Sequence, residues 1–320
     1  MNILILSHYF YPENFIINSI SKKLSKNNSI TVFAPEPSYP NKYIFKKYIK
    51  DENNNEYFKN IKIVRYPVVK RTGKSLFNLF MNYLSSFVIG SITIPFRANV
   101  KSQDIILVYL PSPVFTAIPA LILKLLFNKK LVIWVQDLWP DVIISNTSFR
   151  NKYIYLLIDW IVSVIYNSSD LILTSSKQFV DEIKKKTKTK TLYYPNSLDV
   201  AEISKNIIGE NVKQKINGTF NIIFSGNLGK AQGLDTIIKS CEKLLLIDDT
   251  IKIFLVGDGS MKTYISNKIS ELQLSNLILM GSHDFGTMFS FYNHSDLLLL
   301  SFSNSENINK TVPFKLLGYL

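Results

Sequence analysis

The sequence predicts an α/β protein with two domains, each built on a parallel sheet. Apolar, β-rich segments alternate with segments of helical periodicity along almost the whole chain. That order is typical of parallel strands joined by helices that cover both faces of a sheet. The length of 320 residues suits two domains, because ordinary domains have about 150 residues. A polar segment separates the two series of strands, so we expect domains over 1–198 and 219–320, joined by a linker over 199–218.

Each predicted element rests on its own pattern. Strands are short apolar runs bounded by polar or turn residues, and helices carry apolar residues three and four positions apart. The predicted strands are Ile3–Ser7, Ile30–Ala34, Ile61–Val68, Asp104–Leu110, Leu131–Gln136, Asp170–Thr174, Thr191–Tyr194, Asn221–Ser225, Ile251–Val256, Asn276–Met280 and Asp296–Ser301. The predicted helices include Ile16–Lys26, Val114–Phe127, Tyr153–Tyr166, Lys177–Lys186, Leu234–Leu246 and Met261–Leu272.

Charge and cysteine content narrow the class of protein. Residues 1–200 hold 26 Lys and Arg against 13 Asp and Glu, whereas residues 201–320 hold 11 of each, so the first part carries the whole excess of +13. This favours an anionic partner, such as an acidic membrane leaflet or a diphosphate-linked substrate, although a lysine-rich composition alone gives the same excess. No known nucleic-acid-binding module is present, so we expect no nucleic-acid partner. The single cysteine, Cys241, and the lack of a basic segment at the N-terminus predict a cytoplasmic protein without a signal peptide.

A glycine-rich loop opens the second domain. Residues 224–234 read FSGNLGKAQGL, between a predicted strand and a predicted helix. Strand, glycine-rich loop and helix bring backbone N–H groups close to a phosphate, and Lys230 adds a cation. The spacing differs from that of the dinucleotide and P-loop fingerprints. The loop therefore predicts a phosphorylated ligand other than NAD or Walker-type ATP, with an unliganded βα turn as the alternative.

Two loops of the first domain follow the carboxyl ends of predicted strands, where α/β folds place their ligands. Residues 7–18 read SHYFYPENFIIN, and Glu13 and Asn14 are expected to open the next helix. Residues 136–141 read QDLWPD, and Asp137 is a candidate to orient or deprotonate a hydroxyl. The alternatives are ordinary capping roles, with Pro12 in the first turn of a helix and Asp137 as a cap.

The last ten residues carry a third candidate site. Residues 311–320 read TVPFKLLGYL, with Lys315 one turn into a predicted helix. N–H groups at Thr311 and Val312 together with this cation suit an anion, and a plain amphipathic helix start is the alternative. The three histidines lack metal-ligand spacing and the chain has no Asp-x-Asp pattern, so we expect neither a metal nor a cofactor.

An uncharged segment over residues 75–96 is long enough to cross a bilayer. Polar residues and a proline interrupt it, and its apolar residues fall at helical spacing. We expect a helix packed on the domain, with an aromatic end that touches an anionic leaflet, and a transmembrane helix is the alternative. The basic residues near this segment are Lys46, Lys47, Lys50, Lys70, Arg71 and Lys74.

Seven ordered segments together resemble the retaining glycosyltransferases of family 4, and within that family the L-fucosamine transferases of O-antigen and capsule synthesis. The likeness covers essentially the whole chain, and the order of the segments makes it far more specific than any one of them. The segments are YFYPENFIIN (9–18), PEPSYP (35–40), QDLWPD (136–141), YPNSLD (194–199), GNLGKAQGL (226–234), LVGDG (255–259) and TVPFKLLGYL (311–320).

The resemblance implies the GT-B fold, in which two Rossmann-like domains face one another across a cleft. It implies transfer of N-acetyl-L-fucosamine, or a related amino- or deoxyhexose, from a nucleotide-sugar to a polyprenyl-diphosphate-linked saccharide, without a metal, at the inner face of the membrane. Asp137 and Glu13 are the implied catalytic residues. Tyr11 and Asn14 are implied to face the sugar and acceptor. The implied donor-binding residues are Gly226, Asn227, Lys230, Gln232, Gly257, Thr311, Val312 and Lys315.

The sequence departs from the family in two respects. Members often carry two glutamates at positions that here are Lys310 and Gly318, so those donor contacts are not carried over. Family chains also continue further, so we expect this chain to be shortened and its second domain to be incomplete at the C-terminus. The alternatives to a transferase are an inactive sugar-nucleotide-binding remnant and a sugar-nucleotide epimerase of the same architecture.

Overall fold

The computed structural model of the protein describes two compact units. The described residues are 1–38, 56–71, 76–146, 151–198, 212, 216, 218–283, 285–304 and 310–320. Unit 1 comprises Met1–Ile144 and Phe149–Asn196, and unit 2 comprises Ser145–Ser148 and Ser197–Leu320. Most of the predicted linker lies outside the described residues, as do positions 39–40 of the PEPSYP segment and four of the six basic residues near the uncharged segment.

Unit 1 is built on a sheet of eight strands. In chain order they are β1 (Asn2–Ser7), β2 (Ser29–Pro35), β3 (Glu56–Phe58), β4 (Ile61–Tyr66), β5 (Ile105–Leu110), β6 (Lys130–Val135), β7 (Leu171–Thr174) and β8 (Thr191–Tyr193). Their order across the sheet is β3-β4-β2-β1-β5-β6-β7-β8. All pairs are parallel except β3 with β4. The carboxyl ends of β1, β5 and β6 therefore lie at one edge of the sheet.

Helices cover both faces of this sheet, because side chains along each strand alternate between two cores. Leu4 and Leu6 of β1 belong to one core, and Ile3 and Ile5 belong to the other. The first core also contains side chains of four helices, α2, α3, α5 and α6, whereas α1 packs on the second. The helices of unit 1 are α1 (Ile16–Leu24), α2 (Leu76–Arg97), α3 (Ile118–Phe127), α4 (Asp141–Asn146), α5 (Lys152–Asn167) and α6 (Lys177–Lys184).

Unit 2 is built on a four-stranded parallel sheet. Its strands are β9 (Phe220–Ser225), β10 (Ile251–Val256), β11 (Leu277–Gly281) and β12 (Leu297–Leu298), in the order β11-β10-β9-β12. Its helices are α7 (Leu234–Ile247), α8 (Lys262–Glu271), α9 (Phe285–Asn293) and α10 (Phe314–Tyr319). Apolar residues of β9 and β10 again divide between two cores, so this sheet too is covered on both faces.

The predicted elements match the structure closely in both the strands and the helices. Each predicted strand overlaps an observed one, although β12 has only two residues and the antiparallel edge strand β3 was not predicted. The helix α1 begins at Ile16 and Pro12 lies in the turn before it. The expectations that Glu13 and Asn14 open this helix and that Pro12 occupies its first turn are therefore wrong. A 3-10 turn over Val114–Ala117 precedes α3, where one continuous helix was predicted.

Candidate functional site

The loops that follow β9 and β10 meet at the carboxyl edge of the unit 2 sheet. Gly226 donates its N–H to Val256 O (2.9 Å), and Leu228 donates to Asp258 O (2.9 Å). Gly257 has a φ of +152°, and a Cβ added there would lie 1.8 Å from Gly226 O. Only glycine allows this approach. The glycine-rich loop is thus held directly against the loop after β10.

Lys315 of α10 reaches this edge of the sheet. Its Nζ donates to Gln232 Oε1 (2.6 Å) and lies 3.8 Å from the centre of the Phe224 ring. A Cβ added to Gly226 would lie 3.6 Å from the same Nζ. Burial lowers the pKa of Lys315 to about 8. Within the described part of the chain Lys315 forms no salt bridge. The arrangement therefore presents a largely buried cation, without a counter-charge, to whatever binds beside Gly226.

Two tyrosines fix α10 against the end of β9. Ser225 donates its N–H to Tyr319 OH (3.1 Å), and its Oγ lies 2.7 Å from Tyr292 OH. Tyr319 and Lys315 are four residues apart on α10, so they share one face of the helix. Neither tyrosine was among the sequence-predicted residues, although the spacing of Lys315 and Tyr319 was a usable signal.

Four other predicted donor residues lie on the two segments that carry Gln232 and Lys315. Asn227 and Lys230 are exposed in the glycine-rich loop, where a 3-10 turn over Lys230–Gln232 precedes α7. Thr311 and Val312 are exposed just before α10. This helix has only six residues, so its amides add little dipole field, and the positive charge at this edge comes from lysine.

Glu13 lies in the loop after β1 and shapes that loop. Its side chain is buried, with the residue 4% exposed, and its carboxylate accepts N–H groups of Ser38 (3.0 Å) and Phe10 (3.3 Å). Asn18 adds a bond from its Nδ2 to Glu13 O (2.7 Å). The carboxylate is therefore already engaged with the backbone.

Tyr11 and Asn14, the two predicted sugar-facing residues, are both exposed in the same loop. Tyr11 stacks on Phe58, with ring centres 4.6 Å apart, and its carbonyl accepts a bond from the guanidinium of Arg65. Arg65 is itself buried and paired with Glu56 (2.7 Å). The backbone of this loop is thus fixed while two of its side chains face solvent.

Asp137 follows β6 at the same edge of the sheet. Its Oδ2 accepts two bonds from Ser112, from the backbone N–H (3.0 Å) and from Oγ (2.8 Å). Trp139 Nε1 donates in turn to Ser112 Oγ (3.3 Å). Burial raises the pKa of Asp137, although the bonds from Ser112 act in the opposite direction. One strand, β5, separates β6 from β1, so Asp137 and the Glu13 loop follow strands about 10 Å apart.

No group of three or more His, Cys, Asp or Glu side chains gathers as a metal site among the residues that the structure describes. The predicted independence of metals and cofactors stays a prediction.

A family model matches the segment that holds Lys230 and Gln232. Residues 210–308 match the family model described as glycosyl transferases group 1. The matched segment covers about a third of the chain and lies within unit 2. A Methanocaldococcus jannaschii protein, described as the uncharacterized glycosyltransferase MJ1059, is 23% identical over 220 residues. The match covers 65% of this chain and 52% of that protein, so the chain spans about half the length of this relative.

Solved glycosyltransferase structures share the fold of the whole chain. The E. coli trehalose-6-phosphate structure bound with UDP-2-fluoro glucose has a TM-score of 0.70 and 12% identity, and covers 100% of this chain and 81% of that one. Anabaena Alr3699/HepE in complex with UDP has a TM-score of 0.62 and 14% identity over 96% of this chain and 75% of that one. Sucrose-phosphate synthase from Thermosynechococcus elongatus has a TM-score of 0.66 and 11% identity, and the match covers 93% of this chain and 74% of that one. The fold is that of GT-B glycosyltransferases, as the sequence predicts.

Proposed function

We propose that the protein is a retaining glycosyltransferase that moves a sugar from a nucleotide-sugar to a polyprenyl-diphosphate-linked saccharide in O-antigen or capsule synthesis. The observation that carries the proposal is the position of Lys315 Nζ, beside Gly226 and the glycine-rich loop. A largely buried ammonium group that forms no salt bridge with any described carboxylate favours an anionic ligand. The donor diphosphate is that anion.

Three side chains define the donor end of the proposed site. Gln232 orients Lys315 through its Oε1, so the ammonium group still has N–H bonds to give to phosphate oxygens. Lys230 is exposed on the same loop and supplies a second cation. The group 1 match over this domain and the UDP bound to HepE support a nucleotide diphosphate as the ligand.

The proposed reaction breaks the bond between the anomeric carbon and the diphosphate, and leaves negative charge on the departing phosphate. Lys315 and Lys230 stabilise that charge from fixed positions, in place of a metal. The acceptor hydroxyl forms the new bond to the anomeric carbon and passes its proton to the carboxylate of Asp137. Asp137, oriented by Ser112, accepts the hydrogen bond from this hydroxyl.

Glu13 has a different role in this proposal. Its carboxylate binds two backbone amides, so we assign it to holding the loop that presents Tyr11 and Asn14. These two exposed side chains face the sugar and the acceptor. N-acetyl-L-fucosamine or a related amino- or deoxyhexose is the proposed donor sugar.

A donor panel tests the proposal. The purified protein is incubated with UDP-, GDP- and dTDP-sugars, among them UDP-N-acetyl-L-fucosamine, and with a synthetic polyprenyl-diphosphate saccharide. We expect one donor to be consumed, a product with the anomeric configuration of the donor, and no loss of rate in EDTA. Nucleotide binding without turnover would instead support the inactive remnant. Failure to bind any nucleotide would contradict the proposal.

A further inference from the structure

Three helices of unit 1 present large apolar side chains to solvent. Among the described residues one helix, Phe77–Arg97 within α2, is long and apolar enough to cross a membrane, and only 22% of its most apolar window is buried. A core helix of a soluble domain is mostly buried, so this exposure calls for a partner. The exposed large apolar residues of the three helices form what we call the apolar face. They are Phe77, Phe80, Leu84, Val88, Ile92 and Phe96 of α2, Leu125 and Leu126 of α3, and Tyr153, Ile154, Leu156, Leu157, Trp160 and Val164 of α5.

The three helices that carry the apolar face cover the same side of the sheet, and α2 packs directly on α3. Ile94 of α2, Leu123 of α3 and Val162 of α5 are buried in a single core. The exposed residues of α2 recur at intervals of three and four, and so do most of those of α5, so each set forms one stripe opposite the packed side.

The inner side of α2 ties it to the domain. Ser86 Oγ lies 3.1 Å from His8 Nδ1 and 3.0 Å from Tyr66 OH, and Asn82 Nδ2 donates to Val69 O (2.6 Å). A helix that crossed a bilayer would lose these hydrogen bonds to the rest of the domain. The contacts therefore favour a helix that lies along a membrane surface over one that spans it.

The charges on the three helices are predominantly positive. Asp159 is their one acidic residue, and it is paired with Lys186. Arg97 at the end of α2 and Lys152 at the start of α5 are exposed and form no salt bridge with any described residue. Positive side chains at the border of an apolar surface, with a tyrosine and a tryptophan in that surface, suit the headgroup region of an anionic leaflet.

We propose that the apolar face docks the protein onto one leaflet of an anionic membrane, with α2 and α5 lying in the headgroup region. Anionic lipid fits this face better than a second copy of the chain does. A symmetric pair of copies would bring the same positive surface against itself, whereas anionic headgroups neutralise it. In the cell the proposed membrane is the cytoplasmic leaflet, which is rich in anionic lipid.

The apolar face lies one helix width from the loop after β1. Tyr83, on the inner side of α2, lies with its OH 3.4 Å from Tyr9 OH, and Arg71 donates to both hydroxyls (2.9 Å each). Docking would hold this loop near the headgroups. That consequence, access to a lipid-linked acceptor, rests on the proposed function, whereas the docking itself does not.

Flotation with vesicles tests the docking. The full chain is mixed with vesicles of phosphatidylcholine alone or of phosphatidylcholine with phosphatidylglycerol. Two double variants, Phe77→Ser with Phe80→Ser on α2 and Leu156→Ser with Leu157→Ser on α5, remove exposed side chains only. The control is Leu246→Ser with Ile247→Ser on α7 of unit 2, because Leu246 is 88% and Ile247 79% exposed.

We expect the protein to float with the anionic vesicles and each double variant to bind at least about tenfold more weakly, because each removes two inserted apolar side chains. The control pair should bind as the unchanged protein does. Three results would overturn the proposal. The α2 and α5 variants could float as well as the unchanged protein does, the control variant could lose as much binding as they do, or the unchanged protein could fail to bind anionic vesicles. The proposal would also be overturned if the α2 and α5 variants kept their affinity for vesicles but dissociated a dimer of the unchanged protein, because the apolar face would then bind a second copy of the chain.

Tryptophan fluorescence gives a readout that does not depend on the stability of the variants. Trp160 is 63% exposed, whereas Trp134 is 1% and Trp139 8% exposed. We expect anionic vesicles to shift the emission to shorter wavelength, and Trp160→Phe to remove that shift while leaving flotation intact. An unchanged spectrum on bound protein would overturn the proposed orientation. Donor hydrolysis is measured in parallel without vesicles, so that a failure of docking is distinguished from a failure of the proposed function.

Discussion

Lys315 Nζ donates to Gln232 Oε1 over 2.6 Å, and this bond joins the helix near the end of the chain to the glycine-rich loop. The two residues are separated by 83 positions in the sequence. The amide oxygen neutralises no charge, so the ammonium group keeps its attraction for an anion. The bond thus aims a cation at the place where the loops after β9 and β10 meet.

The affinity for a nucleoside diphosphate should fall as the pH rises above about 8. Burial lowers the pKa of Lys315 to about 8, so above that pH the group loses its proton and its attraction for phosphate. We expect a loss approaching tenfold per pH unit until the pKa of the bound state is reached. Calorimetric titration from pH 7 to 10 measures this, with the parent nucleoside as the control for ionisation of the base. An affinity that does not change with pH would mean that Lys315 does not bind the diphosphate.

Folding stability should respond to Lys315 in the opposite direction. The folded pKa is lower than the ordinary value of 10.5, so between about 8 and 10.5 the unfolded chain binds more protons than the folded one. The contribution of this group to the free energy of unfolding therefore rises with pH in that window. The variant Lys315→Met should lack that rise in urea unfolding.

Replacing Gly257 should destabilise unit 2. A Cβ there would collide with Gly226 O at 1.8 Å, whereas a Cβ on Gly281 meets nothing within 4 Å although its φ is also positive. We expect Gly257→Ala to cost roughly 3 kcal/mol or more and Gly281→Ala about 1 kcal/mol, because only the first adds a backbone collision to the cost of the left-handed conformation. Urea unfolding measures both. Equal losses would mean that the two loops are not in contact.

Removing the hydroxyl of Tyr319 should weaken nucleotide binding without touching the ligand. That hydroxyl accepts the N–H of Ser225 (3.1 Å) and donates to Leu299 O (3.3 Å). Its loss leaves a largely buried N–H without this partner, at a cost of about 1–3 kcal/mol, and loosens the helix that carries Lys315. The matched control is Tyr264→Phe, since Tyr264 bonds to Asp235 at an exposed position. Tyr319→Phe should lower both stability and affinity, and an effect on neither would mean that the hydroxyl does not fix α10.

Asp137→Asn should lower turnover and spare donor binding. The carboxylate belongs to unit 1 and Lys315 to unit 2, so the donor affinity should change less than about twofold, and the rate should fall about 10²-fold or more as for a lost acid–base group. Asp181→Asn, on the exposed side of α6, is the control. A rise in KM for the donor with unchanged kcat would assign Asp137 to donor binding instead.

The sequence was sufficient to predict both sheets, because buried parallel strands are continuous apolar runs that need no other signal. It also singled out Gly226 and Gln232 on the glycine-rich segment and Lys315 on the last segment. It did not predict β3, since an antiparallel edge strand of three residues has too little pattern. The helix α1 begins at Ile16, as predicted, whereas Pro12, Glu13 and Asn14, which were expected at its opening, lie in the loop before it.

Long-range contacts accounted for the remaining differences. Glu13 was expected to face a ligand, yet its carboxylate binds the N–H of Ser38, 25 positions away. The pairing of Ser225 with Tyr319 spans 94 positions and leaves no local pattern. That the amides of Thr311 and Val312 bind an anion stays a prediction, and Lys315 supplies the positive charge beside them.

The most direct test is the ratio of the affinities for a nucleoside diphosphate and its parent nucleoside, in the unchanged protein and in Lys315→Met. UDP, GDP and dTDP are each compared with uridine, guanosine and thymidine by calorimetry, and Lys239→Met on the exposed side of α7 serves as the control. We expect one diphosphate to bind much more tightly than its nucleoside, and Lys315→Met to remove about 1.5–3 kcal/mol of that preference. The same preference in Lys315→Met as in the unchanged protein would contradict it.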